Sequence, residues 1–257
     1  MSRAAGLVLA ALVLVPASAG ASTGRPPLAL TATPAHVSMA GSGTATLRVT
    51  NPGTSALVVE AARAGFELDL RGRPRIVPHS GARSATPWLA LRPGRFVLAA
   101  GASRTVTVSA RVPSRVEPGD HDALVLLTTH PRRSAAVSAR LRVGVVVVVR
   151  APGRVVRRMV LRGVVVRHAH GVRSLEVLVS NLGNVTESLE RGRVHVVLVR
   201  GRAQTILRAD ARDLRPRTSG VVTVRYGGRA RGWTTASVEI TATDGGPVVR
   251  RSFRVKL

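Results

Sequence analysis

The fold class is decided by residues 93–131, which run PGRFVLAAGASRTVTVSARVPSRVEPGDHDALVLLTTHP. Within this stretch, polar and apolar side chains alternate strictly from residue 105 to residue 112. One side carries Val106, Val108, Ala110 and Val112, and the other carries Thr105, Thr107, Ser109 and Arg111. A period of two is typical of a β-strand with one buried face and one wet face, and it does not fit an amphipathic helix.

A turn-rich loop follows this strand. Pro113, Pro118 and Gly119 interrupt the chain before a second apolar run at residues 123–127. Proline fixes φ and glycine accepts unusual backbone angles, so both residue types favour turns. We therefore predict that the two runs are neighbouring strands of an antiparallel sandwich.

The N-terminus has the pattern of a secretory leader. Arg3 precedes an apolar run over residues 4–15, and Ala17, Ser18 and Ala19 supply the small residues that a signal peptidase needs. The run is shorter than the ~20 residues of a membrane span. We predict a signal peptide over residues 1–19 and an exported protein, either secreted or located in the cell wall or periplasm, with no transmembrane anchor in the mature chain.

Composition sets the core and the charge. Apolar residues make up 45% of the 257 residues and aromatic residues only 2%, so valine, leucine and alanine must build the core. Cysteine is absent, which excludes a disulfide scaffold and a thiolate metal site. Thirty-nine basic residues against thirteen acidic ones give a net charge of +26, which attracts polyanions at long range.

The compartment narrows the choice of polyanion. Export removes nucleic acid as a partner, and the scarcity of aromatic residues removes the stacking platforms that single strands require. Outside a cell, the polyanions are wall polymers, anionic lipid headgroups and acidic glycans. The alternative is that arginine only fills solvated strand faces.

Two segments follow the same plan. A turn at Asn51-Pro52-Gly53 closes an early strand of the first segment, and Asn181-Leu182-Gly183-Asn184 makes a turn in the same place of the second. Ala151-Pro152-Gly153 separates the segments. We predict an all-β protein with two consecutive immunoglobulin-like antiparallel β-sandwiches, over residues 28–150 and 151–257.

Turn and strand-edge residues of the first segment carry a resemblance to known families. In chain order they are the Asn51-Pro52-Gly53 turn, Trp88, Pro93-Gly94, Phe96-Val97-Leu98, Gly101, the strand at residues 106–112, Val112-Pro113 and Glu117-Pro118-Gly119. This pattern resembles the N-terminal domain of the WxL-interacting cell-surface proteins of Gram-positive bacteria. It is more distantly similar to the first domain of periplasmic pilus chaperones. The first resemblance implies binding to peptidoglycan or to surface partners, although members of that family usually end in a membrane helix with a basic tail, which we do not expect here.

Arginines cluster in residues 71–87, which also hold three prolines and two glycines and are predicted to form a long irregular loop. Long loops are frequent binding sites. We predict that Arg71, Arg73, Arg75 and Arg83 pair bidentately with the phosphate or carboxylate groups of an anionic wall polymer. A disordered connector is the alternative.

The most apolar segment, residues 145–149, precedes Arg150. In the pilus chaperones, the corresponding strand lends alternating apolar side chains to a client, and a basic residue holds the client's terminal carboxylate. The resemblance makes Val145, Val147, Val149 and Arg150 candidates for such strand addition. Consecutive valines equally suit a strand that is buried on both faces.

Candidate catalytic and metal sites are weak. His168 and His170 would share one face of a strand, but the local sequence supplies no third ligand, although His195 or Glu176 could lie across the sheet. Asp120-His121-Asp122 lacks a plausible nucleophile and is predicted to be a solvated loop. No Gly-x-Ser-x-Gly elbow or phosphate-binding glycine loop occurs, and the few acids nominate no glycosidase pair.

The sequence therefore predicts a non-enzymatic binding protein without metal or cofactor. Its predicted partner is an anionic wall polymer associated with peptidoglycan, or another surface protein. The alternative prediction is an assembly factor, similar to a periplasmic chaperone, for secreted or surface subunits.

Overall fold

The computed structural model describes residues 29–77, 81, 83–130, 140–169, 171–190 and 192–257. The predicted leader at residues 1–19 lies outside the described residues and stays a prediction. Leu28, the first residue of the predicted first sandwich, also lies outside them. Within the described part of the chain, no helix has both the length and the apolar character needed to cross a membrane.

The protein is all-β, as the sequence predicts. The strands of its first half are β1 Thr31–Thr33, β2 His36–Ala40, β3 Gly43–Thr50, β4 Leu57–Leu68, β5 Pro74–Val77, β6 Leu89–Arg92, β7 Arg95–Leu98, β8 Ser103–Ala110, β9 Gly119–His130 and β10 Arg142–Ala151. One 3₁₀ turn, Thr86–Trp88, precedes β6.

Two sheets pack face to face in this first sandwich. One has the order β1-β3-β8-β6; the other has the order β2-β10-β9-β4-β5, with β7 also paired to β4. The alternation in β8 places Val106 and Val108 in the core at 0% exposure, where they meet Leu47 and Val49 of β3 and side chains of the opposite sheet. The predicted half-buried strand is therefore confirmed.

The pairing of the two deciding runs differs from the prediction. Strands β8 and β9 belong to opposite sheets and share no hydrogen-bonded ladder. The loop between them, residues 111–118, is long enough to cross from one sheet to the other. Pairing is also not wholly antiparallel, because β10 runs parallel to β2 while it runs antiparallel to β9.

The second half forms another sandwich. Its strands are β11 Met159–Ala169, β12 Val172–Asn181, β13 Glu187–Leu189, β14 Val194–Arg200, β15 Ala203–Arg208, β16 Arg212–Leu214, β17 Ser219–Tyr226, β18 Trp233–Thr241 and β19 Val248–Lys256. The main sheets have the orders β11-β12-β17 and β15-β14-β18-β19, and β13 pairs with β16. A separate core lies between them, so the chain contains two consecutive immunoglobulin-like sandwiches.

One buried asparagine closes the equivalent turn of each sandwich. The Asn51 side chain donates to the carbonyls of Ser55, Leu98 and Ala99, and accepts from the Gly53 N–H. The Asn181 side chain donates to the carbonyls of Val185 and Leu214, and accepts from the Gly183 N–H. Both side chains are fully buried. The two turns that the sequence predicted to be equivalent are thus closed by the same hydrogen-bond pattern.

Candidate functional site

The arginine-rich segment is more ordered than predicted. Residues 74–77 form strand β5, paired with the end of β4, so this part is not an irregular loop. Arg71 pairs with Glu176 at 2.8 Å, Arg75 with Glu67 at 2.9 Å, and Arg83 with Glu117. The Arg73 side chain is exposed. Because three of the four guanidinium groups already contact carboxylates, the predicted anion site would have to compete with these pairs.

The valines of β10 divide between two faces. Val145, Val147 and Val149 are fully buried in the first core, so these three strand-addition candidates are not accessible to a client. Residues 146–150 are also hydrogen-bonded between β9 and β2, which fills both edges of the strand there. The face that points out of the sandwich carries Gly144, Val146 and Val148 instead.

That outward face forms the floor of a cleft of about 600 Å³ between the two sandwiches. Strands β4, β5, β9 and β10 supply mostly apolar side chains, and the second sandwich closes one end. The lining residues that the first sandwich contributes from these four strands include Phe66, Leu68, Ile76, Leu124, Leu126, Val146 and Val148. Thr186, Asp213 and Arg215 come from the second sandwich, and the exposed residues His36 and Arg142 also line the cleft. We refer to this feature as the cleft.

One edge of β10 lacks a partner strand over residues 142–145, as far as the described part of the chain shows. Val146 donates its N–H to the Ala35 carbonyl, and Arg150 accepts from the Gly41 N–H, so the even-numbered residues point their backbone groups away from β9. Strand β2 pairs only from Val146 onward. Among the described residues, no strand pairs with residues 142–145 on that side. The N–H and C=O of Arg142 and Gly144 therefore face an open edge, here called the open edge of β10.

A buried ion pair holds the second sandwich at the end of the cleft. Arg215 donates from Nε to Oδ2 of Asp122 and from Nη1 to the Phe66 carbonyl, and its guanidinium lies 4.3 Å over the Phe66 ring. Only 3% of the Asp122 side chain is exposed. Burial raises the pKa of Asp122, although the charge of Arg215 opposes this.

A second carboxylate completes the junction. Asp120 accepts from Arg150 Nε at 2.7 Å and from the Thr186 N–H at 2.7 Å, so it links the first sandwich to the second. Burial alone would raise the pKa of Asp120, but these hydrogen bonds outweigh it and hold the pKa below its ordinary value. Arg150, a predicted holder of a client carboxylate, is therefore already bound to a carboxylate of its own chain.

Backbone contacts fix the angle between the sandwiches. The Asp120 N–H donates to the Asn184 carbonyl at 2.8 Å, the Asn184 side chain donates to the Pro118 carbonyl at 3.0 Å, and the Val221 N–H donates to the Leu70 carbonyl at 2.7 Å. The Arg71–Glu176 pair spans the same junction. Hydrogen bonds and an ion pair therefore connect the two sandwiches beside the cleft.

Sequence reasoning missed the junction. Asp120-His121-Asp122 is not a solvated loop, because these residues lie in β9 and are at most 4% exposed. His121 instead packs its ring 4.4 Å from Trp88 and contacts the Glu117 carbonyl through Nε2. The available signal was two acids, spaced two apart at the start of an apolar run, in a chain with thirteen acids.

The histidine pair gives no metal site that can be described. His168 is exposed in β11, and His170 lies outside the described residues. Within the described part of the chain, no group of three or more His, Asp or Glu side chains is placed to hold a metal ion.

Comparison with known proteins identifies the fold. No protein-family model matches the chain, and no curated protein matches its sequence. Among solved structures, the class 5 fimbriae chaperone CfaA matches with a TM-score of 0.52 and 12% identity, over 87% of this chain and 98% of that one. A chain from a chaperone–tip adhesin complex of CFA/I fimbriae biogenesis matches with a TM-score of 0.51 and 12% identity, over the same shares of both chains.

The chain has a pilus-chaperone-like fold. These matches support the resemblance to periplasmic pilus chaperones at the level of the fold. The similarity extends over both sandwiches, whereas the sequence indicated it for the first alone. These neighbours do not support the resemblance to the WxL-interacting proteins.

Proposed function

We propose that the protein is an assembly chaperone for exported surface subunits, which holds one strand of a client against the open edge of β10. The observation that carries the proposal is the position of this edge. The backbone groups of Arg142 and Gly144 have no partner strand among the described residues, and they lie directly beside an apolar cleft. The fimbriae chaperones that share this fold support the same function.

Strand addition would use both features together. A client strand paired with residues 142–145 extends the sheet of β10, and its backbone supplies the missing hydrogen bonds. Side chains on one face of that strand, spaced two residues apart, then lie beside Val146 on the face of the sheet that lines the cleft. Backbone bonds give affinity for any extended chain, and the shape of the cleft selects the side chains.

The choice of residues changes from the sequence prediction. Val145, Val147 and Val149 support the strand from inside the core, while Gly144, Val146 and Val148 form the face that a client contacts. Arg142, rather than Arg150, is the cation available to an acidic client group, because Arg142 is an exposed residue of the cleft and Arg150 is bound to Asp120.

This function requires export, since the clients are surface subunits. It is non-enzymatic, and the partner is a protein strand. A role in attachment to wall polymer through Arg71, Arg73, Arg75 and Arg83 has less support, because three of these side chains are paired within the chain.

Proline at position 142 tests the proposal. Arg142→Pro removes the edge N–H without breaking the ladder to β9, and proline is tolerated at the first residue of a strand. Arg142→Ala removes the same charge and keeps the N–H, so it is the matched control. The probe is a labelled peptide of about ten residues that alternates valine and threonine, which is the pattern of a strand with one apolar face.

We expect fluorescence anisotropy to show that the peptide binds to the unmodified protein and to Arg142→Ala. Binding to Arg142→Pro should be at least about tenfold weaker, because this variant loses one to two hydrogen bonds to the peptide. Equal affinity of the two variants would contradict strand addition at this edge.

A further inference from the structure

An exposed tryptophan stands on the second sandwich and does not line the cleft. Trp233 begins β18, and 56% of it is exposed. Of the five other aromatic side chains, Phe66, Phe96 and Tyr226 are buried, at 7%, 5% and 5% exposure, and Trp88 and Phe253 are half-buried. Trp233 is therefore the most exposed aromatic side chain of the chain.

The indole forms one wall of a small pocket. This pocket has a volume of about 280 Å³ and is lined by Val199, Arg200, Gly201, Trp233, Thr234, Thr235 and Arg254. The Arg254 guanidinium lies 4.7 Å from the centroid of the indole. The lining contains two arginines and no carboxylate, and neither arginine forms an ion pair among the described residues. The pocket therefore has an uncompensated positive charge.

The pairing of β18 with β19 places further cations on the same face of the sheet as the pocket. Trp233 lies opposite Lys256, and Thr235 lies opposite Arg254, so both cations flank the indole on the neighbouring strand β19. Further along the same two strands, Ser237 lies opposite Ser252. The nearest acid on this face, Glu239, is neutralised by Arg250 at 2.6 Å. Hydroxyl groups and cations thus line a path that starts at the open indole.

We infer that this pocket binds one ring of an acidic polysaccharide. The C–H face of a sugar ring is weakly positive and packs on the negative face of an indole. The guanidinium groups of Arg200 and Arg254 bind a carboxylate or sulfate substituent of that ring, and the Thr235 hydroxyl binds a sugar hydroxyl. A volume of about 280 Å³ is at the small end of ligand pockets, which suits a single ring unit.

The same features disfavour a nucleic acid. Single-stranded nucleic acids are held by successive stacked bases, which requires several exposed aromatic side chains along one groove. Here a single indole is flanked by cations and small hydroxyl side chains. This site shares no lining residue with the cleft, so the inference does not depend on the proposed chaperone function.

Tryptophan fluorescence offers a direct test, because the chain contains only two tryptophans. In the intact chain carrying Trp88→Phe, Trp233 is the sole indole and reports on its own pocket. The probe is polygalacturonate, with neutral dextran as the uncharged polymer. Arg254→Ala is compared with Arg95→Ala, which removes the same charge from an exposed position in the first sandwich.

We expect polygalacturonate to change the Trp233 emission in a saturable manner and dextran to leave it unchanged. Arg254→Ala weakens this binding about tenfold, as expected for loss of a charge-assisted contact, while Arg95→Ala changes it less than twofold. Equal effects of the two variants would show that only net charge attracts the polymer and would overturn the site. A single-stranded DNA oligonucleotide that binds more tightly than polygalacturonate would overturn the choice of ligand.

Discussion

Arg215 of the second sandwich donates from Nε to Asp122 Oδ2 of the first, and both groups lie at the end of the cleft. The Asp122 side chain is 3% exposed and that of Arg215 19% exposed, so water screens this ion pair little. The pair therefore connects the stability of the junction to the shape of the proposed client site.

Loss of Arg215 should loosen the junction. Arg215→Ala leaves the Asp122 carboxylate buried without its cation, which typically costs about 3–5 kcal/mol. We expect a drop of this size in the free energy of unfolding, measured by urea denaturation. Arg217→Ala is the control, because the Arg217 side chain is 55% exposed and lies 3.8 Å from Glu117, and it should cost less than about 1 kcal/mol. Similar costs for the two variants would show that the ion pair does not hold the sandwiches together.

The two junction aspartates should respond oppositely to acid. The pKa of Asp120 is lowered in the folded state, so its contribution is present above the unfolded pKa of about 3.9 and is lost as the pH falls through the lower folded value. The pKa of Asp122 is raised, so the folded state binds its proton first and the contribution of this group to stability increases as the pH falls through the raised value.

Asp120→Asn isolates the first effect. This variant should be less stable than the unmodified protein near neutral pH, and the difference should shrink below about pH 4 as Asp120 of the unmodified protein becomes protonated. Urea denaturation at several pH values measures this. A difference that stays constant between neutral pH and about pH 3 would mean that the Asp120 charge does not stabilise the junction.

Close backbone approach at the junction requires a glycine. Gly119 has a φ of +108°, and a Cβ at this position would lie 2.0 Å from the Asn184 carbonyl oxygen. We expect Gly119→Ala to cost about 3 kcal/mol, because it adds a steric clash to the backbone strain. Gly101 has a φ of +71°, and a Cβ at this position would lie in open space. Gly101→Ala should therefore lower the free energy of unfolding by only about 1 kcal/mol, as measured by thermal denaturation. If both substitutions cost the same, the contact between Gly119 and Asn184 is not tight.

The buried turn asparagines should be equally intolerant of change. Asn51→Ala leaves carbonyls of residues 55, 98 and 99 without their donor, which should cost about 2 kcal/mol. Asn51→Asp keeps the acceptor for Gly53 but turns an acceptor oxygen towards those carbonyls, so it should cost at least as much. The same pair of substitutions at Asn181 should give the same order in chemical denaturation. A stable Asn51→Asp variant would contradict the assigned hydrogen bonds.

The strands and the repeat could be predicted from the sequence, because they depend on local patterns. The alternation of Val106 and Val108 fixes the buried face of β8, and the Asn51 and Asn181 turns mark equivalent corners. The partition of strands between sheets could not be predicted. Whether β9 pairs with β8 or crosses to the other sheet depends on contacts over the whole sandwich, which a local pattern does not encode.

The site was predicted only in part, for a similar reason. An arginine in sequence has no visible partner, so Arg71 was expected to bind an external anion, whereas folding places Glu176 beside it from 105 residues away. The sequence indicated strand β10, but it did not show which face of this strand is buried. Valines at consecutive positions give no alternation, and only the packing of both sheets shows that Val145 points inward and Val146 outward.

Strand addition at β10 is tested most directly by amide hydrogen exchange at Arg142 and Gly144, the two residues whose N–H groups face the open edge. The alternating valine–threonine peptide should slow exchange at both amides and leave Val147, already bonded to β9, unchanged. A peptide with alternate amides N-methylated should have no effect, because it cannot form the new ladder. Unchanged exchange at Arg142 and Gly144 with the peptide bound would contradict the account.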